Sequence, residues 1–181
     1  MTPARLTALA LALAAAGLIG DGAARPPADS FKGVAFDETA WPFLLDQWGR
    51  GRAFRCEAAR CGAEVMLYLR AKVGFCDCFN HVDEDDVDRL TDFDLMGGKA
   101  EAVGEDWAVP FAAGPARLRA FRIGPAAGPR REAVSMVAAR DCQALTALMV
   151  SDRAIPQALR SAMREALAAS NPSDPRFAWN D

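Results

Sequence analysis

The sequence predicts an α+β fold, an antiparallel sheet of about four to six strands with helices packed on one face. Three observations lead there. Residues 63–73 alternate strictly, with Ala63, Val65, Leu67, Leu69, Ala71 and Val73 at odd positions and Glu64, Met66, Tyr68, Arg70 and Lys72 at even ones. Alternation of that length predicts a strand with one buried and one wet face. Further strand patterns follow at Arg117–Ile123, Ala133–Arg140 and Leu145–Val150, the first two separated by Gly124, Pro125, Gly128 and Pro129. Helical patterns flank these strands instead of alternating regularly with them, which argues against a parallel α/β sheet.

Taken in order, residues 1–24 carry a basic start up to Arg5, an apolar run over Leu6–Ile19 and a small-residue exit at Gly22, Ala23 and Ala24. That order predicts a signal peptide cleaved after Ala24 and a single domain over 25–181. The apolar run is shorter than the ~20 residues of a membrane span, so no stable membrane insertion is expected after processing. Pro26 and Pro27 mark an irregular leader. Thr39 and Pro42 predict a short helix carrying Phe43, Leu44, Leu45 and Trp48 and stopping at Gly49. Arg52–Cys56 then forms a hairpin with the long alternating strand across Glu57–Arg60.

Gly74 ends that strand, and a loop follows with Cys76, Cys78 and His81. Asp83, Glu84, Asp85 and Asp86 crowd the first turn of a helix reaching about Leu95, where carboxylates oppose the positive end of the helix dipole. Gly97 and Gly98 close it. A last helix from Pro156 puts Ile155, Leu159, Met163, Ala166 and Leu167 on one stripe.

The chain has 181 residues, 24 acidic and 21 basic, for a net charge of −3, so it has no cationic field for nucleic acid. Arg117, Arg119, Arg122, Arg130, Arg131 and Arg140 make the later strands basic, suited to an acidic partner or to the chain's own acidic helix. No nucleophile elbow, phosphate loop, dinucleotide fingerprint or zinc-protease helix occurs, and His81 is the one histidine. Trp41, Trp48, Trp107 and Trp179 read as core or cap residues. The acids from Asp83 to Asp94 fail the spacing of a calcium loop, since Met96 and Val103 fall where oxygen ligands are required.

Five cysteines in an exported chain predict disulfide chemistry. Cys56 and Cys61 lie where the hairpin brings them opposite each other, with Cys61 on the buried face of the long strand, and a bridge is expected between them. For Cys76 and Cys78 the alternatives are a strained redox pair, pairing of one with Cys142, or thiolate ligation of copper or zinc with His81 as third ligand or proton acceptor. The neighbouring carboxylates raise a thiol pKa, which favours metal capture over nucleophilic catalysis.

The segments R-x-F-x-C-x4-C-G from Arg52 and L-Y-L-R-x-K-x-G-F-C-x-C ending at Cys78 are similar to small exported bacterial proteins of unassigned activity. That resemblance implies no catalytic residue. The expected function is an exported, disulfide-stabilised, non-enzymatic binding or accessory protein, periplasmic or secreted, engaging an envelope protein or small ligand. No cofactor is required by this reading. The alternative is a metal-handling or thiol-redox accessory factor built on Cys76, Cys78 and His81.

Overall fold

The computed structural model describes residues 30–31, 34–73, 84–111, 114–125, 128–140 and 143–161. A two-stranded ladder, β1 (Ser30–Phe31) with β2 (Val34–Ala35), precedes one antiparallel sheet of seven strands. These are β3 (Asp37–Thr39), β4 (Arg52–Cys56), β5 (Val65–Val73), β6 (Lys99–Phe111), β7 (Gly114–Gly124), β8 (Arg131–Arg140) and β9 (Gln143–Ser151). Their spatial order is β3-β4-β5-β9-β8-β7-β6, so β9 joins the early strands to the late ones.

This corrects the expected α+β architecture of four to six strands under a helical layer. Strand dominates the described residues, whose complete helical segments are short: α1 (Ala58–Cys61), α2 (Glu84–Leu90) and a 3-10 turn at Phe93–Met96; residues 157–161, the last described, are also helical. Neither α1, α2 nor the 3-10 turn is long enough to form a layer across seven strands. No described helix is long and apolar enough to cross a membrane. The signal peptide expected over residues 1–24 lies outside the described residues.

Two of the extra strands lie at the sheet edges. β3 has three residues, all exposed, too few to show a period. β6 is rich in Ala and acids and contains Gly104 and Pro110, a composition with low strand propensity. An edge position tolerates both residues: a proline is compatible with an edge strand, and Gly104, at φ +76°, accommodates the break in register between Val103 and Trp107.

The helix expected from Thr39 to Trp48 does not form. Thr39 pairs with Ala53 in β3, and the chain then runs irregularly to Gly49. Asp46 explains the choice, because its Oδ1 accepts the Trp48 N–H at 2.8 Å while its carbonyl accepts the Gly49 N–H at 3.0 Å. This Asx turn competes with a helix, and Gly49 closes it at φ +71°.

Both faces of the sheet are packed, which corrects the expectation of a wet even face on β5. On one face Phe54, Leu67, Leu118, Met136 and Met149 form the larger core, joined by Phe36, Ile155 and Leu159. On the other, Val87, Leu90, Phe93 and Met96 from α2 and the 3-10 turn cover Phe121, Ile123, Val137, Leu148 and Val150. The even positions of β5 belong to this second face, and there Arg70 and Lys72 are only 2% and 3% exposed. The Cys56–Cys61 bridge is present with a Cα separation of 6.1 Å. Its geometry differs from that expected: Cys61 ends α1 instead of lying on β5, so a helical turn closes the hairpin.

Candidate functional site

Buried cations on a sheet face need partners, since desolvation of each costs several kcal/mol, on the order of what a whole domain's net stability can lose. Arg70 and Lys72 project side by side from β5 opposite Thr146 and Ala144. Arg70 Nη1 donates to Asp92 Oδ1 at 3.3 Å, and Nη2 donates to Asp46 Oδ1 and, at 2.7 Å, to the Gly49 carbonyl. Lys72 Nζ donates to the Leu90 carbonyl at 2.7 Å and lies 2.6 Å from the same Asp92 oxygen. Two cations and two carboxylates thus balance.

Each partner lies in a covering segment. Asp46 and Gly49 belong to the loop after β3, whereas Leu90 ends α2 and Asp92 directly precedes the 3-10 turn. The pair on β5 therefore clamps two separate pieces of chain onto one face. Nearby, Thr91 Oγ1 hydrogen-bonds the Val87 carbonyl at 2.6 Å and also meets Ser135 Oγ, which fastens α2 to β8.

Aromatic rings complete the clamp. The Arg70 guanidinium lies 5.6 Å from the Trp41 ring centre and 5.8 Å from that of Trp48, and Lys72 Nζ lies 4.4 Å from Trp48. Trp41 meets Phe43 at 5.1 Å and Tyr68 at 6.0 Å, and Phe43 meets Tyr68 at 5.0 Å. Gly51 has no side chain because a Cβ there would stand 2.5 Å from the Leu69 carbonyl and 2.6 Å from the Trp41 ring. Trp41 and Phe43 turn inward; the neighbouring Leu44 and Leu45 turn outward, 89% and 63% exposed.

Burial pushes the Asp46 carboxyl upward, but the Trp48 N–H, the Arg70 hydrogen bond and the charges of Arg70 and Lys72 together hold it below its ordinary value of 3.8. The carboxylate therefore stays ionised and keeps the loop fastened at neutral pH. What this arrangement can do chemically is hold a loop rigid while it offers two leucines to solvent.

Of the residues singled out in the sequence, Cys56 and Cys61 are brought together as expected, on the opposite side of the sheet from the clamp. Cys76, Cys78, His81 and Cys142 lie outside the described residues. Among the described residues no group of three His, Cys, Asp or Glu is placed to hold a metal ion. Arg119 meets Asp88 of α2 at 3.2 Å, so part of the basic character does face the chain's own acidic helix. Arg117 pairs instead with Asp106 and Arg130 with Glu101, both across to β6. The sequence reading placed Arg70 and Lys72 on the wet face of the strand and gave them no role, and the local alternation offers no signal of their burial.

No family model and no curated protein matches this chain. Among solved structures it is similar to the crystal structure of PA94 from Pseudomonas aeruginosa, a protein of unknown function described as a candidate regulator, with a TM-score of 0.51 and 14% identity. The match covers 76% of this chain and 96% of that one. At this identity the likeness shows the fold alone.

Proposed function

We propose that the protein is an exported, non-enzymatic binding or accessory protein of the cell envelope, and that it engages an envelope protein through the loop between β3 and β4. The observation carrying this reading is the contrast within that loop: Leu44 and Leu45 stand in solvent, while Asp46 and Gly49 beside them are fastened to the buried Arg70. An isolated exposed leucine signifies little. Two on a segment already ordered by a buried clamp present apolar surface whose ordering entropy is largely spent before binding, which is how preorganised contacts gain affinity. Export is supported by the leader pattern of residues 1–24 and by the Cys56–Cys61 bond, which persists in oxidising compartments.

The test places a photo-crosslinking residue at Leu44 or Leu45 in cells and compares the Leu44→Asp, Leu45→Asp double variant. The expected result is a discrete adduct with one envelope protein, loss of that association in the double variant, and an unchanged melting temperature. Recovery of the protein in the cytosol with Cys56 and Cys61 reduced, or a double variant that retains the association, overturns the proposal.

A further inference from the structure

On the same sheet face, at the end of β5, β8 and β9 remote in sequence from the two leucines, a cleft of about 240 Å³ has Met66 and Val150 as floor and Tyr68, Arg131 and Ser151 around it. Its arginine differs from several others in the chain. Arg70, Arg117, Arg119 and Arg160 each face a carboxylate. Arg131, half-buried, donates one N–H to the Met96 carbonyl at 2.8 Å and has no carboxylate within ion-pair distance among the described residues. Four of its five N–H donors are thus without a protein acceptor there.

One further donor borders the same space. The Tyr68 hydroxyl has no hydrogen-bond partner among the described residues, while its ring is fixed by Phe43 and Trp41. Burial raises the Tyr68 pKa against the opposing charge of Arg131, so the phenol is a protonated donor at neutral pH.

The acids at the cleft limit what fits. Glu64 is engaged by Arg55 at 2.9 Å, but Asp152 is exposed at the mouth and repels a second negative charge. The volume lies below the ~300–1,000 Å³ of sites for drug-sized ligands. We infer that this cleft binds a short-chain monocarboxylate, its carboxylate taken by the Arg131 guanidinium and the Tyr68 hydroxyl and its alkyl chain laid on Met66 and Val150. A planar carboxylate matches the guanidinium fork, and a small apolar tail matches the floor. This inference does not rest on the envelope-partner reading.

Titration of the purified full chain with hexanoate, hexan-1-ol and adipate, followed by amide chemical shifts and tryptophan fluorescence, tests it. Hexanoate should saturate at a Kd on the order of millimolar, as expected for so small a ligand. Hexan-1-ol and adipate should bind about tenfold more weakly or worse, because one lacks the charge and the other brings a second charge to Asp152. Arg131→Gln and Tyr68→Phe should each weaken hexanoate by about tenfold or more, the ordinary range for a hydrogen bond to a charged group. Tyr68→Phe keeps the ring packing, so it decides the matter if Arg131→Gln fails to fold. Equal binding of hexanoate and hexan-1-ol, or hexanoate binding unchanged in Tyr68→Phe, overturns the inference.

Discussion

At the residue scale the informative side chain is Arg70, because a guanidinium with 1% side-chain exposure must be neutralised where it stands. Replacing it with Met removes the charge, roughly preserves the apolar stem, and strands Asp92, itself 14% exposed, beside Lys72 alone. Breaking a buried pair from one side costs ~3–5 kcal/mol, and Arg70→Met is expected to lower stability by that order in urea denaturation. Asp46→Asn should cost less, since its carboxylate is 36% exposed and water takes over part of the lost interaction. Two carboxyls also set the acid limb of the stability curve. Asp106 is held below 3.8 chiefly by its hydrogen bond from Arg117, with burial opposing, and Asp46 is held below 3.8 against burial by Trp48, Arg70 and Lys72. A carboxyl whose folded pKa is depressed contributes stability that is complete above its unfolded pKa and drains as pH falls toward the folded one. The melting temperature should therefore begin to fall as pH drops through 3.8 and below, and Asp46→Asn with Asp106→Asn should flatten that limb while lowering the neutral-pH plateau.

At the element scale, the β4–β5 hairpin depends on two local devices. The Cys56–Cys61 bond closes a loop of sequence separation 5, which in the chain-entropy model corresponds to about 2 kcal/mol. A Cys56→Ala, Cys61→Ala chain should still fold and lose about that much in chemical denaturation. Gly51 is the stricter constraint, because the atoms a Cβ would meet include the Leu69 carbonyl, which cannot move without disturbing β5. Gly51→Ala should lower stability by ~1–3 kcal/mol, the usual cost of overpacking, and Trp41 fluorescence should report the displaced ring. How much of this could be read from the sequence follows from where each signal resides. The strands β4, β5, β7, β8 and β9 were legible because their apolar positions alternate or cluster between turn residues; the helix expected to reach about Leu95 instead stops at Leu90, and Gly97 closes a separate 3-10 turn. β6 was not legible: its period is interrupted at Gly104 and diluted by Ala and acids, and only its partner β7 makes it a strand. The helix expected at Thr39–Trp48 lost to an Asx turn and to the docking of Trp41 on Tyr68, which are tertiary facts. Likewise Arg70 and Lys72 look like solvent-facing residues in an alternating strand. Their burial is decided by α2 and the loop after β3, distant in sequence.

At the scale of the whole molecule, the stripe of small and medium residues along β7, β8 and β9 lets both faces be covered, and truncating a large member should be felt throughout. Leu118, fully buried among β5, β8 and β9 contributors, should lose ~2–5 kcal/mol as Leu118→Ala, with one cooperative transition retained in calorimetry. The strand order has a consequence of another kind, in time. β3-β4-β5 and β6-β7-β8 are each made of chain neighbours, yet within the sheet they are joined only through β9, whose Val150 pairs with Met66 and with Ala133. Among the described strands β9 is also the last in chain order, and so the last of them to leave the ribosome. Until it exists, the inner edge of β5 and the inner edge of β8 are both open, and neither half has its neighbour. Pairings that span so much sequence form slowly, since loop closure precedes any compensating contact. A chain ending at residue 142 should accordingly show no cooperative melting by circular dichroism, although most of its strands are present. The sheet thus behaves as an arch whose keystone arrives after the other described strands: all the other strands of the seven-stranded sheet can be synthesised while the polypeptide is still threadable.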